Sequence, residues 1–300
     1  MSDKLLAQMK NISLHWEMPV FSSIAYVIWV INNNKRIKDL GRREKLHART
    51  RVAGNNEKTL SLLKGKSAFL KSVMFLHNMG MAVFSMAVFV KTFSVVWGGF
   101  WSLPFSSFIE DPSGNLEKQL SYSIWIFYIS KYYEIVDTAI LFASGKESSF
   151  LQMYHHAGAI VACWLVSLSQ TYCGWIWVVL NSFIHSLMYL YYAGTVLGIR
   201  PPFKRAITFM QIAQFFVGII FGFLYISNPK SFSSDPTIKF YQYSAIVFNM
   251  VYVVILIALF LNFERRTYRE KRIVKEAAEK LATPMPLAPS TLSSPITSPV

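Results

Sequence analysis

The stretch YQYSAIVFNMVYVVILIALFLNF, residues 241–263, decides the fold class of this chain because it contains no charged side chain. An α-helix needs about 20 mostly apolar residues to cross the hydrocarbon core of a bilayer, and this stretch is long enough. Over the whole chain, 53% of the residues are hydrophobic and only 15% are charged. Soluble domains carry about 25% charged residues. The sequence therefore predicts an all-α, polytopic membrane protein.

Further apolar stretches precede this one, at residues 18–31, 69–95, 121–143, 150–168, 172–198 and 207–227. We predict seven transmembrane helices. A count of six is the alternative, because the first stretch is short and little more than SQTYCG separates the fourth from the fifth. The predicted domains are a short N-terminal tail (1–17), a seven-helix membrane domain (18–264) and a C-terminal tail (265–300). That tail is basic at first and then rich in Pro and Ser, a composition typical of disorder.

The basic residues orient the predicted helices. Segment 32–66 holds eleven Lys and Arg, whereas the next predicted loop, FIEDPSGNLEKQL, holds one Lys. Because positive residues concentrate in cytoplasmic loops, the asymmetry predicts an N-terminus outside or in a lumen and a cytosolic C-terminus. The formal net charge of +14 therefore reflects topology, with some attraction for anionic head groups or phosphorylated ligands. It does not indicate a nucleic-acid partner.

Ionisable side chains inside transmembrane helices are costly and usually face the bundle interior, which makes them candidates for a site. The third predicted span carries such a group in KYYEIVDT, with Lys131, Glu134, Asp137 and Thr138 on one broad helical face. Lys131 and Glu134 are spaced to pair. The alternative interpretation is a structural ion pair that holds neighbouring helices together.

The fourth span begins with QMYHHA. Gln152 and His155 share a helical face, and His156 is turned about 100° further round the helix. A single intramembrane histidine is more often a hydrogen-bonded packing residue. An adjacent pair in a helix without other charges favours a functional role.

The fifth and sixth spans each present a polar stripe. The fifth places Asn181, His185, Met188, Tyr189 and Tyr192 along one side. The sixth places Thr208, Gln211 and Gln214 one turn apart, which equally suits hydrogen bonds between helices.

These polar residues agree in predicted depth. Asp137 and His155 each lie about six residues, or roughly 9 Å, from the cytosolic ends of their helices. The glutamines of the sixth span lie at a similar depth below a basic loop that ends with Lys204 and Arg205. The pattern predicts a buried pocket, open to the cytosol and rimmed by positive charge. Such a pocket suits a substrate with phosphates and a long apolar tail.

We predict no metal at this site. Membrane desaturases use about eight histidines around two irons, whereas this chain has six in total. His77 lies in the second span at a different position, so at most three histidines converge. Without a metal, an imidazole acts as a general base or as a nucleophile toward acyl groups. A neighbouring carboxylate, Asp137 or Glu134, would orient the ring.

Four ordered blocks resemble the signature of the very-long-chain fatty acid elongases of the endoplasmic reticulum. They are KYYEIVDT, QMYHHA, NSFIHSLMYLYY and TFMQIAQF, and LHN in the second span fits as well. The resemblance covers roughly residues 20 to 265. It implies condensation of acyl-CoA with malonyl-CoA to give 3-ketoacyl-CoA, CO2 and CoA, without a cofactor. It also implies that six of seven helices enclose an acyl tunnel.

The resemblance assigns roles to these positions. His155 would accept the acyl group, His185 and Asn181 would stabilise oxyanions or position the malonyl unit, and a carboxylate would orient His155 or His156. Lys131 would balance the carboxylates or contact a CoA phosphate. We expect the substrate-binding residues to be Lys131, Gln152, Tyr189, Tyr192, Gln211, Gln214, Lys204 and Arg205.

Gln152 departs from the usual H-x-x-H-H pattern of that family. We expect its amide to hydrogen-bond the next turn and support His155. The Q-x-x-H-H variant is similar to a subset of microbial elongases that act on polyunsaturated C18 acids, which hints at the substrate.

The resemblance further implies residence in the endoplasmic reticulum membrane and, as partners, the ketoreductase, dehydratase and enoyl reductase of the elongation cycle. The alternative function is a seven-helix receptor or transporter of the same topology. Pairing between Cys163 and Cys173 stays open, and we expect the sequon at Asn11 to be unused because it lies close to the first span.

Overall fold

A computed structural model describes residues 3–50, 57–199, 201–269 and 273, and within these residues the regular structure is helical. The chain divides after Phe260 into two units. The helices are α1 (Asp3–Leu14), α2 (Glu17–Thr50), α3 (Glu57–Ser102), α4 (Phe105–Glu110), α5 (Asn115–Tyr133), α6 (Ile135–Ala143), α7 (Phe150–Leu168), α8 (Trp175–Val196), α9 (Lys204–Ile226) and α10 (Pro236–Glu264). Of the C-terminal unit, the structure describes the end of α10 and a π-helical turn, Arg265–Arg269. The predicted disorder of the remaining tail lies outside the described residues.

Four segments are long and apolar enough to cross a membrane: Ala68–Ser102, Tyr172–Val196, Lys204–Ile226 and Pro236–Thr267. A fifth is obtained if α1 and α2, which meet at a bend of 58°, count as one span. The prediction of an all-α, multi-pass membrane protein is therefore confirmed. The count of seven stays a prediction, because α5, α6 and α7 are not among these candidate spans. Polar residues and a break at Glu134 interrupt their apolar pattern.

Large apolar side chains are exposed along these helices. Phe69, Phe209 and Phe240 are examples, on α3, α9 and α10. A soluble monomer rarely exposes contiguous apolar surface of this extent, whereas a bilayer covers it.

Two glycines allow α-helices to lie unusually close to a neighbouring aromatic ring. A Cβ atom on Gly158 of α7 would lie 2.3 Å from Cε2 of Tyr252 on α10. A Cβ atom on Gly218 of α9 would lie 2.0 Å from Cη2 of Trp177 on α8. Any larger residue at either position therefore requires the ring to move.

The N-terminal segment, which the sequence interpretation treated as a tail, contains helix α1. Its C-terminal end is tied to α5 and α7 by three aromatic donors. Trp125 Nε1 donates to Ser13 Oγ over 2.9 Å, and the Tyr128 hydroxyl donates to the Ser13 carbonyl over 2.8 Å. Trp164 Nε1 donates to the Leu14 carbonyl over 2.9 Å. The last carbonyls of a helix have no partner within the helix, and these contacts satisfy two of them.

An aromatic cluster, formed by Phe108, Tyr172, Trp175 and Tyr225, packs where α4, α8 and α9 meet. The Phe108 ring lies 5.8 Å from that of Trp175, and the Tyr172 ring lies 6.1 Å from that of Tyr225. Trp175 Nε1 donates a hydrogen bond of 3.2 Å to the Tyr225 hydroxyl. Tilted and edge-to-face arrangements of this kind stabilise aromatic cores.

Both cysteines are free thiols. Cys173 is buried beside the aromatic cluster, and Cys163 is half-buried on α7. The structure therefore contains no disulfide between them.

Candidate active site

A buried ion pair lies at the break between α5 and α6. Lys131 Nζ is 2.6 Å from Glu134 Oε1, and the two residues are only 2% and 1% exposed. The same ammonium donates to Asn181 Oδ1 on α8 over 3.1 Å and lies 3.9 Å from the centre of the Phe127 ring. Mutual attraction and the extra contacts offset the cost of removing both charges from water.

Two histidines from different helices join this pair. His185 Nδ1 on α8 lies 3.7 Å from Glu134 Oε1. A carboxylate oxygen of Glu134, a ring nitrogen of His155 and a ring nitrogen of His185 all lie within 4.8 Å of one another. We call Lys131, Glu134, His155, Asn181 and His185 the polar cluster. His155 is its partly exposed histidine, whereas His185 is buried.

Glu134, His155 and His185 are residue types that bind metals, and their ligand atoms lie close enough together to share one cation. The ammonium of Lys131 already neutralises Glu134 at hydrogen-bonding distance. A divalent cation bound to that carboxylate would lie close to this positive charge. The donor set suits imidazole chemistry better than metal binding.

Asp137 hydrogen-bonds a second group of residues. Its Oδ1 is 2.8 Å from His77 Nε2 on α3, and its Oδ2 accepts a bond of 2.6 Å from the Tyr189 hydroxyl. His77 also stacks on Tyr133. The sequence interpretation placed His77 apart from the other histidines and offered Asp137 as a partner of His155 or His156. His77 does lie outside the polar cluster, and of the two carboxylates Glu134 is the one within 4.8 Å of His155, whereas Asp137 hydrogen-bonds His77 and Tyr189.

The sequence predicts a hydrogen bond from Gln152 to the next turn of α7. In the structure, Gln152 hydrogen-bonds a neighbouring helix. Its Nε2 donates to Thr138 Oγ1 on α6 over 3.1 Å, and the Tyr26 hydroxyl of α2 lies 3.0 Å from the same oxygen. His156 is buried with its ring 6.1 Å from that of Tyr26. Its Nδ1 has no hydrogen-bond partner among the described residues. Gln152 therefore fixes α7 against α6 and α2.

His155 has a partner on the last helix. Its Nδ1 lies 3.0 Å from the hydroxyl of Tyr252, and that hydroxyl donates to the His155 carbonyl over 2.9 Å. Sequence reasoning missed Tyr252. The signal available was a phenol three residues after Asn249 in an otherwise apolar span.

The residues predicted to bind substrate fall into a buried or partly buried group and an exposed group. Tyr189 and Gln214 are buried, and Gln211 Nε2 donates to Met188 Sδ over 3.4 Å. Tyr192 is 42% exposed near the end of α8, so the structure does not place it in the interior. Lys204 and Arg205 are exposed in the first turn of α9. The ammonium of Lys131 is buried and contacts Glu134 and Asn181, so the structure places it with the carboxylate and not at the surface.

The arrangement has the chemistry of a group-transfer centre. A partly exposed imidazole lies beside a second imidazole, a carboxylate whose charge is balanced, and an amide. Because Asn181 accepts from Lys131 through Oδ1, its NH2 group is left to donate. Donors fixed in a water-poor interior stabilise charge that develops during a reaction.

Comparison with known proteins agrees with this chemistry. The family profile described as ELO: GNS1/SUR4 family matches residues 11–276. Fatty acid elongase sre1 of Dictyostelium discoideum is 35% identical over 161 residues, which is 53% of this chain and 60% of that protein. Very long chain fatty acid elongase 2 of Rattus norvegicus is 31% identical over 221 residues, or 71% of this chain and 75% of the relative.

Very long chain fatty acid elongase 5 of Homo sapiens is 30% identical over 219 residues, covering 70% of this chain and 69% of the relative. The matched region includes every residue of the polar cluster. With most of its length inside the family profile, this chain belongs to the ELO (GNS1/SUR4) family, and the relatives named here are fatty acid elongases.

Proposed function

We infer that the chain catalyses the condensing step of fatty acid elongation, as a very-long-chain 3-oxoacyl-CoA synthase. Acyl-CoA and malonyl-CoA would give 3-ketoacyl-CoA, CO2 and CoA. The observation that carries this inference is the polar cluster, in which three helical segments deliver two imidazoles, an amide and a neutralised carboxylate to one point. Membership of an elongase family supports the same substrate class.

His155 acts as the nucleophile in this proposal. Its imidazole attacks the thioester carbonyl carbon, the C–S bond breaks, and CoA leaves as a thiolate that takes a proton from water. The acyl group stays on the ring nitrogen. His155 suits this role because it is partly exposed, whereas His156 and His185 are buried. Covalent catalysis of this kind divides one difficult transfer into two easier ones.

The second half of the reaction uses the residues around the ring. Malonyl-CoA loses CO2, and the electrons of the broken C–C bond form a carbanion that attacks the held acyl carbon. The new C–C bond forms as the C–N bond to His155 breaks. Asn181 and His185 donate to the oxygens on which negative charge develops. Glu134, held by Lys131, stabilises positive charge on the imidazoles.

The proposal includes finer features that the resemblance suggested. Seven helices cross the membrane, and six of them enclose a tunnel for the acyl chain. The protein resides in the endoplasmic reticulum with a lumenal N-terminus and a cytosolic C-terminus. Its substrates include polyunsaturated C18 acyl-CoA, and it works with the ketoreductase, dehydratase and enoyl reductase of the cycle. The receptor or transporter alternative is not favoured, because the relatives are elongases.

The test is malonyl-CoA-dependent product formation by microsomes from a yeast host that expresses the chain. We expect 3-ketoacyl-CoA from wild type and none from His155→Ala, with both proteins present in the membrane. His15→Ala is the matched control, because His15 is exposed and lies outside the polar cluster. Product from His155→Ala would rule out the nucleophilic role, and no product from wild type with any C16 to C20 acyl-CoA would rule out the function.

A further inference from the structure

The Tyr252 hydroxyl makes two contacts with one residue. It lies 2.9 Å from the main-chain carbonyl oxygen of His155 and 3.0 Å from Nδ1 of the same histidine. A carbonyl oxygen only accepts hydrogen bonds, so the single phenolic proton is used there. The phenol oxygen is then an acceptor toward Nδ1, and Nδ1 must carry the hydrogen of the second bond. The two contacts together assign the tautomer of His155 through the hydrogen-bond network.

A neutral imidazole carries one N–H, so protonation of Nδ1 leaves the lone pair on Nε2. Nε2 is therefore the nitrogen of His155 that can attack a carbonyl carbon. In the opposite tautomer, Nε2 would carry the proton and would have no lone pair in the ring plane. The contact with Tyr252 thus decides which nitrogen is nucleophilic.

The position of the phenol depends on the absence of a side chain at Gly158, one turn after Tyr154. A Cβ atom there would lie 2.3 Å from Cε2 of Tyr252, so only glycine leaves the ring in place. The Tyr252 ring also stacks on that of Tyr154 with centroids 5.5 Å apart. The close approach at Gly158 therefore keeps the phenol beside His155.

We propose that Tyr252 is a positioning residue for His155, which selects the tautomer with a free Nε2, and that Gly158 makes this contact possible. The inference rests on the proposed function of His155. Tyr252 itself touches neither substrate nor reacting atom in this proposal. It acts through the ring that it orients.

The tautomer also simplifies the proton balance. When Nε2 attacks the thioester, the ring becomes an acyl-imidazolium whose Nδ1–H remains hydrogen-bonded to Tyr252. When the carbanion displaces the acyl group, the C–N bond breaks and its electrons return to Nε2. The imidazole is regenerated with its proton still on Nδ1. No proton leaves the ring, and the only one consumed is taken from water by the CoA thiolate.

The direct test compares Tyr252→Phe with Tyr154→Phe in the purified full-length protein. The first variant removes the hydroxyl and leaves the ring to pack against Gly158. The second removes a hydroxyl from the ring stacked on it and serves as the matched control. We expect Tyr252→Phe to slow formation of the acyl-enzyme by about 10- to 100-fold, with an unchanged KM for acyl-CoA. Tyr154→Phe should stay within about twofold of wild type.

Gly158→Ala tests the same contact from the other side. Its methyl group displaces the phenol, so we expect a loss of acylation rate similar to that of Tyr252→Phe. The double variant should lose little more acylation rate than the slower single variant, because both changes remove the same contact between Tyr252 and His155. Losses that multiply in the double variant would contradict a shared cause.

A measurement on unsubstituted protein makes the proposal independent of how the variants fold. In protein labelled with 15N-histidine, the His155 signals are identified by their loss in His155→Gln. We expect a protonated Nδ1 and an unprotonated Nε2, and the reverse pattern would overturn the proposal. If wild type makes product while Tyr252→Phe acylates as fast as Tyr154→Phe, the positioning role fails and the proposed function stands. If wild type makes no product, the proposed function itself fails.

Discussion

The polar cluster and the aromatic cluster both lie inside the helical unit, but the first contains charged side chains and the second is made of aromatic rings. The polar cluster holds a charged pair, and a carboxylate oxygen, Oε2 of Glu134, is buried without a hydrogen-bond partner among the described residues. His156, the neighbour of His155 in sequence, also has a buried ring nitrogen, Nδ1, without such a partner. In the aromatic cluster, the Trp175 indole nitrogen donates to Tyr225, and the Tyr172 hydroxyl is the one polar atom left without such a partner.

The difference shows where the protein accepts an energetic cost. A buried polar atom without a partner costs roughly 1–3 kcal/mol, and taking a charged pair out of water costs several kcal/mol more per ion, so the polar cluster carries the larger cost. Natural proteins break packing rules mainly at functional sites. The polar cluster therefore has the character of a site that meets polar groups of a substrate, and the aromatic cluster has that of a packing core.

The largest expected effect comes from breaking the ion pair. Lys131→Met removes the ammonium and leaves Glu134 charged and buried, so we expect a loss of about 3–5 kcal/mol in the free energy of unfolding. Chemical unfolding in detergent measures it. A loss below about 1 kcal/mol would mean that the pair carries little of the stability at this point.

A double variant separates stability from activity at the same place. Lys131→Met with Glu134→Gln has no buried charge, so we expect most of the stability to return. The double variant should still not catalyse condensation, because it lacks the carboxylate beside His155 and His185. Recovery of both properties would show that the pair is structural only.

A smaller effect is expected at Gly218, where α9 lies close to Trp177 of α8. Alanine there drives the Trp177 indole out of its position, and overpacking of this kind costs about 1–3 kcal/mol. Gly80→Ala on α3 is the matched control, because a Cβ atom there has no neighbour within 4 Å. In the same measurement, the free energy of unfolding should be lower for Gly218→Ala than for wild type, and equal to or higher than that of wild type for Gly80→Ala. The opposite ranking would contradict the close approach of α8 and α9.

The smallest effect is expected inside the aromatic cluster. Trp175→Phe removes the donor to Tyr225 but keeps an aromatic ring, so we expect a loss of about 0.5–1.5 kcal/mol. The rate of condensation per folded molecule should equal that of wild type. A reduced rate at normal stability would show that the aromatic cluster takes part in the reaction.

The sequence predicted local relations well. The charge-free stretch at 241–263 identifies a membrane helix, and this class is confirmed. The spacing of Lys131 and Glu134 on one helical face brings them together within a single turn, and the structure contains that contact. Tyr192 shows the limit of such reasoning, because it shares a helical face with Asn181 and His185 but is 42% exposed near the end of α8.

Relations between distant segments were beyond sequence reasoning. Asp137 meets His77, and His155 meets Tyr252, across 60 and 97 residues of chain. Helical periodicity ranks the faces of one helix, but it does not say which helix packs on which face. Gln152 was expected to act within α7 for the same reason, and its partner, Thr138, lies on α6.

Covalent capture of the acyl group is the most direct test of the role given to His155. Purified protein is incubated with acyl-CoA in the absence of malonyl-CoA, digested, and examined by mass spectrometry. We predict one acyl group on the peptide that contains His155, which disappears as 3-ketoacyl-CoA forms when malonyl-CoA is added. An unmodified protein that nevertheless makes product with malonyl-CoA, or an adduct that persists in His155→Ala, would contradict the role of His155 as the acyl carrier.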